Sequence, residues 1–74
     1  MQKIFITTKY ITLGQMLKFA GIITNGCEAK MFLENSTVLV DGVEDNRRGR
    51  KLYPTMTITI QGVGDYVIEQ DKGE

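Results

Sequence analysis

The chain has no histidine and a single cysteine, Cys27. Without histidine, a tetrahedral zinc site of the usual Cys/His kind is excluded. So are the Ser-His and Cys-His pairs that activate a nucleophile. One thiol cannot form an internal disulfide, and a lone thiol fits a reducing, cytoplasmic compartment. No GxxxxGK[ST] phosphate loop is present, and the GxG of Gly62-Val63-Gly64 runs into Asp65-Tyr66-Val67 without opening a helix, so it reads as a turn. No apolar run approaches the roughly 20 residues that span a bilayer. The opening stretch from Met1 to Thr8 is too quickly interrupted for a signal peptide and reads as a strand. Asp41, Glu44 and Asp45 have the chemistry for acid–base work, but they flank a hairpin with no evident pocket and read as a solvated loop. No enzyme, cofactor, metal, membrane or small-molecule substrate is implied.

These absences narrow what 74 residues can be. That length allows one domain, spanning 1–74. A chain so short buries only roughly 60% of the surface its unfolded form exposes, so its core is thin. Disulfides and metals often staple such domains, and neither is available here.

What is present is local positive charge. Asn46-Arg47-Arg48-Gly49-Arg50-Lys51 holds four of the nine Lys and Arg residues in a chain of zero formal net charge. Residues 1–64 carry eight bases against five acids, whereas Asp65, Glu69, Asp71 and Glu74 make the end acidic. A neutral balance argues against indiscriminate coating of nucleic acid but is compatible with one focused basic face. On charge alone, two readings stand. The cluster is a phosphate-binding surface, or it is a solvated loop paired with Glu44 and Asp45. Exposed pairs of that kind contribute about 0–1 kcal/mol each, too little to hold a loop in one arrangement.

Residues 2–7 are rich in β-branched side chains and read as a strand. Thr12-Leu13-Gly14-Gln15 fits a capping box, with Leu13, Met16, Leu17 and Ala20 following on one helical face and Gly21 as the stop. Asn25 is placed as the cap of a second helix, with Glu28 in its capping-box position. Ala29, Phe32 and Leu33 supply the second apolar face, and Asn35-Ser36 ends it. About five residues separate the two helices, which predicts a compact helix pair. Met16, Phe19, Met31 and Phe32 are expected in the core or at its rim, with Cys27 a small filler near the cap. Thr37–Val40 is a strand, Asp41-Gly42 signals a type I′ hairpin, and Val43 starts the return. Tyr53-Pro54-Thr55 is a turn, Thr57–Ile60 alternates as a strand, and 66–69 forms the last one. Residues 70–74 are polar and expected to fray. The order predicts an α+β fold, with helices packed against a small sheet.

In order and spacing these pieces resemble the S4 RNA-binding domain, the αL motif. The matching segments are Ile11–Lys18, Glu28–Leu33, the valine-rich strand and turn Thr37–Val43, Arg50-Lys51-Leu52 and Thr57–Ile60. The resemblance covers 11–60, with the terminal strands outside it but expected to pair with the sheet. More narrowly, Asn25–Lys30 and Glu44–Leu52 are similar to the small stand-alone bacterial S4 proteins of the YaaA/YbcJ type. The resemblance implies two short helices on a small, mostly antiparallel sheet. It also implies a protein that binds structured RNA, ribosomal RNA or a ribosome assembly or quality-control intermediate, through a basic face.

The residues that the resemblance places on that face are Lys18, Thr24, Asn25, Lys30, Arg47, Arg48, Arg50 and Lys51. Arginine suits the role because its planar fork grips phosphate oxygens and stacks on unpaired bases. Gly26 stands where many S4 domains have an arginine. The expectation is that the open start of the second helix still presents exposed amides to an anion. Pro54-Thr55-Met56 replaces the family's Pro-Gly-Asp and is expected to alter the turn. The alternative is a non-enzymatic adaptor whose basic loop meets an acidic protein surface.

Overall fold

The computed structural model describes residues 1–71. The chain runs β1 (Gln2–Ile6), β2 (Ile11–Thr12), α1 (Leu13–Phe19), α2 (Glu28–Asn35), β3 (Val38–Val40), β4 (Val43–Glu44), β5 (Lys51–Leu52), β6 (Thr57–Ile60) and β7 (Gly64–Gln70). Two sheets form. A five-stranded sheet has the order β1-β7-β6-β3-β4, and a two-stranded ribbon joins β2 to β5. All pairings are antiparallel except β1 with β7, which is parallel. Parallel neighbours need a long crossover, and here everything between the two terminal strands serves as that crossover. The α+β reading and the pairing of both terminal strands with the sheet match this architecture.

Alternation in the strands makes the core. Ile4 and Ile6, Val38 and Val40, Ile58 and Ile60, and Tyr66 and Ile68 all point to one face of the sheet and are buried. Leu13, Met16 and Leu17 of α1 and Ala29 and Leu33 of α2 join them in a single cluster, together with Ile11 and Leu52 from the ribbon. No buried side-chain nitrogen or oxygen among the described residues lacks a partner. No described helix is long and apolar enough to cross a membrane.

The helix ends follow the sequence signals closely. The Thr12 hydroxyl accepts from the Gln15 amide at 3.3 Å, and the Gln15 side chain accepts from the Thr12 amide at 2.9 Å, completing the capping box. Gly21 adopts φ +77. Its amide donates to the Lys18 carbonyl and that of Ile22 to Leu17, each at 3.0 Å, which is a Schellman ending. Asp41 and Gly42 both take positive φ, as a type I′ turn requires.

Several expectations need correction. The helix connection is residues 20–27, longer than the predicted five, because a tight turn precedes α2. Phe19 and Met31 are exposed, since α1 and α2 bury only one narrow stripe each. Cys27 is exposed, not a filler. Gln70 is not frayed: β7 includes it, and its side-chain amide donates to the Ile6 carbonyl at 3.0 Å. Residues 72–74 of the expected fray lie outside the described residues. The turn at Tyr53-Pro54-Thr55-Met56 has the type II form, with Thr55 at φ +79, a conformation glycine takes freely and a β-branched residue rarely takes.

Candidate nucleic-acid interface

The basic segment is a built structure. Residues 47–50 form a β-turn in which the Arg50 amide donates to the Arg47 carbonyl at 3.1 Å. That turn is docked onto the start of α1. The amides of Leu13 and Gly14, which have no partner within their own helix, donate to the carbonyls of Arg50 and Arg48 at 2.8 and 2.9 Å. Gly14 lies at the point of closest approach. A Cβ there would lie 3.4 Å from the Arg48 carbonyl oxygen and 3.5 Å from the Cβ atoms of Arg48 and Ala29. Helix, basic turn and second helix therefore meet at one glycine.

Asp45 is the anchor of the loop. Its side chain is only 7% exposed. The carboxylate accepts from the Arg47 backbone amide at 2.9 Å, from Arg47 Nε and Nη2 at 3.1 and 2.8 Å, and from Arg50 Nη1 at 3.0 Å. The Arg47 guanidinium, bound through two parallel hydrogen bonds, is the main reason the Asp45 carboxyl lies well below the usual carboxylate range, and Asp45 in turn raises Arg47. Multiple bonds to a largely buried carboxylate hold the loop better than the exposed pairs that sequence alone suggested. They also neutralise part of the cluster, leaving Arg47 and Arg50 less electrostatically free than Arg48.

Arg48 makes no side-chain hydrogen bond or ion pair among the described residues. Its side chain lines a shallow groove with Lys18, Gln15, Gly14, Gly26 and Gly49. Two cations from distant parts of the sequence thus share one concave surface, walled by glycines that leave room for a ligand's backbone. Arg47, Arg50 and Lys51 line a neighbouring groove with Gly49 and Tyr53. Lys30 is exposed on α2, four residues beyond Gly26, and does not line the first groove.

The start of α2 differs from the open anion site expected there. Glu28 occupies it from within. Its carboxylate accepts from the Thr24 hydroxyl at 2.6 Å and from the amides of Thr24 and Asn25 at 2.7 and 3.0 Å. The Thr24 hydroxyl first, then these two amides, hold the Glu28 pKa below its ordinary value. The Asn25 side chain accepts from the Cys27 amide at 3.1 Å, although α2 proper begins two residues later than an Asn25 cap predicts. The chain's own carboxylate takes up the Thr24 hydroxyl and the Thr24 and Asn25 amides just before α2, while the Glu28 and Ala29 amides at the helix start donate to the Asn25 and Gly26 carbonyls at 3.2 and 3.3 Å. Asp41, grouped with Glu44 and Asp45 as a potential acid, instead accepts from the Thr57 amide at 2.8 Å and ties the hairpin to β6. Among the described residues no group of acidic or thiol side chains has the arrangement to hold a metal.

Two features escaped sequence reasoning. The first is Gly14, which sits inconspicuously within a capping box. The second is a pair of tyrosines: Tyr10 and Tyr53 have ring centroids 5.6 Å apart, and the Lys51 Nζ lies 5.1 Å from the centre of the Tyr10 ring. The alternation Lys51-Leu52-Tyr53 hints at a half-buried strand, but its partner, Tyr10-Ile11-Thr12, is too short to announce itself.

The sequence pattern of the S4 domain matches residues 4–69. That span reaches beyond 11–60 into parts of both terminal strands. The chain is also 49% identical over 65 residues to the "Probable ribosome maturation protein RlbA" of Bacillus subtilis (strain 168), covering 88% of this chain and 92% of that protein. With the helix pair, the Asp-Gly hairpin and the docked basic turn, these similarities place the chain in the S4 domain family.

Proposed function

We propose that this protein is a non-enzymatic RNA-binding module that recognises structured RNA of the ribosome, in ribosomal RNA or in an assembly intermediate. The observation that carries the reading is the meeting of Arg48 and Lys18 in one groove, both without a carboxylate partner among the described residues. A cation with no internal partner is available to a phosphate, and a docked backbone spares the cost of ordering it on binding. Membership of the S4 family and the resemblance to a protein named for ribosome maturation favour RNA as the source of that phosphate. Arg47, Arg50 and Lys51 extend the basic surface beside the groove, and Lys30 continues it along α2. Thr24 and Asn25 precede the groove residue Gly26 without lining the groove, and Glu28 holds the Thr24 hydroxyl and both their amides, so they contribute less than the cations. Recognition rests on shape and backbone charge, because A-form RNA hides its major-groove edges.

The test is a filter-binding titration of ribosomal RNA and purified ribosomal subunits across a salt series. Lys18→Gln and Arg48→Gln should each weaken binding and each reduce the magnitude of the salt slope by about 1. Unchanged affinity and slope in the double variant would remove the groove as the site. Association with ribosomes that survives ribonuclease treatment would favour the adaptor reading instead.

A further inference from the structure

We infer that Tyr10 and Tyr53, with Lys51, form a stacking platform for an unpaired nucleotide of the bound RNA. The inference rests on the RNA-binding reading above and adds a second, chemically distinct contact beside the phosphate groove.

The platform follows from the pleat of the small ribbon. Ile11 pairs with Leu52 and Thr12 with Lys51. Side chains alternate faces along a strand, so Ile11 and Leu52 turn inward, where they are 5% and 0% exposed. Tyr10 and Tyr53 fall at the next position of the same ladder and turn outward with Lys51. They remain 37% and 41% exposed, large aromatic areas in a chain with few aromatic side chains. Their planes meet at 50°, so the rings do not stack face to face, and both remain partly open to solvent. The Lys51 ammonium lies over the Tyr10 ring, 5.1 Å from its centre, so it covers part of one face and brings a cation to the place where a stacked nucleotide's phosphate would pass.

Both tyrosine backbones are fixed. The Thr8 hydroxyl donates to the Tyr10 carbonyl at 2.8 Å. The Tyr53 carbonyl accepts from the Met56 amide at 3.1 Å, and the Tyr53 amide is directed at the Met56 sulfur at the same distance. Tyr53 lines the groove of Arg47, Arg50 and Lys51, whereas Tyr10 lines an adjoining groove with Lys9, Gln15 and Phe19. Aromatic rings next to cations, on a pre-set backbone, are the combination that holds single-stranded nucleotides. A base inside an A-form helix is already stacked on both faces, so this surface takes a base from a bulge, loop or strand end.

The test compares two RNA hairpins, one fully paired and one identical except for a single-uridine bulge. The wild type should bind the bulged hairpin about tenfold more tightly. It should also lose tyrosine emission on saturation, since the chain has no tryptophan and its third tyrosine, Tyr66, is buried. Tyr10→Leu and Tyr53→Leu should abolish the preference and leave affinity for the paired hairpin unchanged, while Tyr10→Phe and Tyr53→Phe should retain the preference. Circular dichroism melting checks that the leucine variants fold. If one does not, the same preference is read in Lys51→Gln, which should lower it. Equal binding of both hairpins by the wild type, or a preference that persists in folded leucine variants, overturns the platform while leaving RNA binding intact. Binding to neither hairpin, with ribosomal RNA bound equally by wild type and the folded leucine variants, overturns the platform, and failure to bind ribosomal RNA as well overturns the RNA-binding reading itself.

Discussion

At the scale of single residues, Asp45 shows how one carboxylate divides a run of cations into two kinds. Arg47 and Arg50 spend hydrogen-bonding capacity on Asp45, and Arg48 does not. In sequence the three arginines are equivalent. The division has a pH signature. Asp45 is held below its ordinary value of 3.8, so its contribution to stability is fully present above that value and is lost as pH falls through it toward the folded-state pKa. Asp45→Asn should therefore cost stability at neutral pH, roughly 1–2 kcal/mol, toward the low end for a charged hydrogen-bond acceptor because Arg47 is 68% exposed. The variant should also lose less stability than the wild type on further acidification below about pH 4. Urea midpoints measured across that range check both. Parallel acid dependences for the two proteins would mean that Asp45 is not linked to folding in this way.

At the scale of elements, the junction at Gly14 decides where Arg48 sits. The capping box of α1 was legible because it is a matter of residues three apart. That the next two amides of the same helix would find the carbonyls of Arg48 and Arg50 was not, because those partners lie more than thirty residues along the chain. Gly14→Val should force the basic turn off the helix. An added Cβ would already touch the Arg48 carbonyl at 3.4 Å and the Cβ atoms of Arg48 and Ala29 at 3.5 Å, and a branched side chain adds two carbons at that contact. A loss of about 1–3 kcal/mol is expected. Amide exchange in 47–50 should rise more than in β6. Unchanged protection of those amides would show that the turn does not depend on this contact. The start of α2 teaches the complementary lesson. Its Asn25/Glu28 pattern was visible, but that the glutamate would also take the Thr24 hydroxyl and amide depended on the three-dimensional arrangement of Thr24 around it.

For the whole molecule, the joining of the first and last strands is the main structural commitment. Among the described residues β1 pairs only with β7, and β7 lies between β1 and β6, so the first and last strands are built into the sheet that supports the helices. Ile68 is fully buried on the inner face of β7. Its truncation to alanine should cost about 2–5 kcal/mol. A domain this short is stable by only several kcal/mol, with no disulfide to compensate. Ile68→Ala should accordingly melt far below the wild type, or be unfolded at room temperature by circular dichroism. A shift of only a degree or two would show that the terminal strands are dispensable to the core.

What the sequence by itself determined was everything governed by neighbours a few residues apart. That includes the capping box of α1, its glycine stop, the Asp41-Gly42 hairpin, the alternation of Thr57–Ile60 and the position of the basic cluster. Such signals survive because steric preference, capping and side-chain periodicity act within a turn or two of chain. Tertiary structure alone decided which of the clustered cations remained free, that Lys18 would share a groove with Arg48, and that Tyr10 would meet Tyr53 across a two-residue ribbon. It also decided that the terminal strands would run parallel, with Gln70 bonded to Ile6 across 64 residues. These are contacts between distant segments, and burial of the common core brings those segments together.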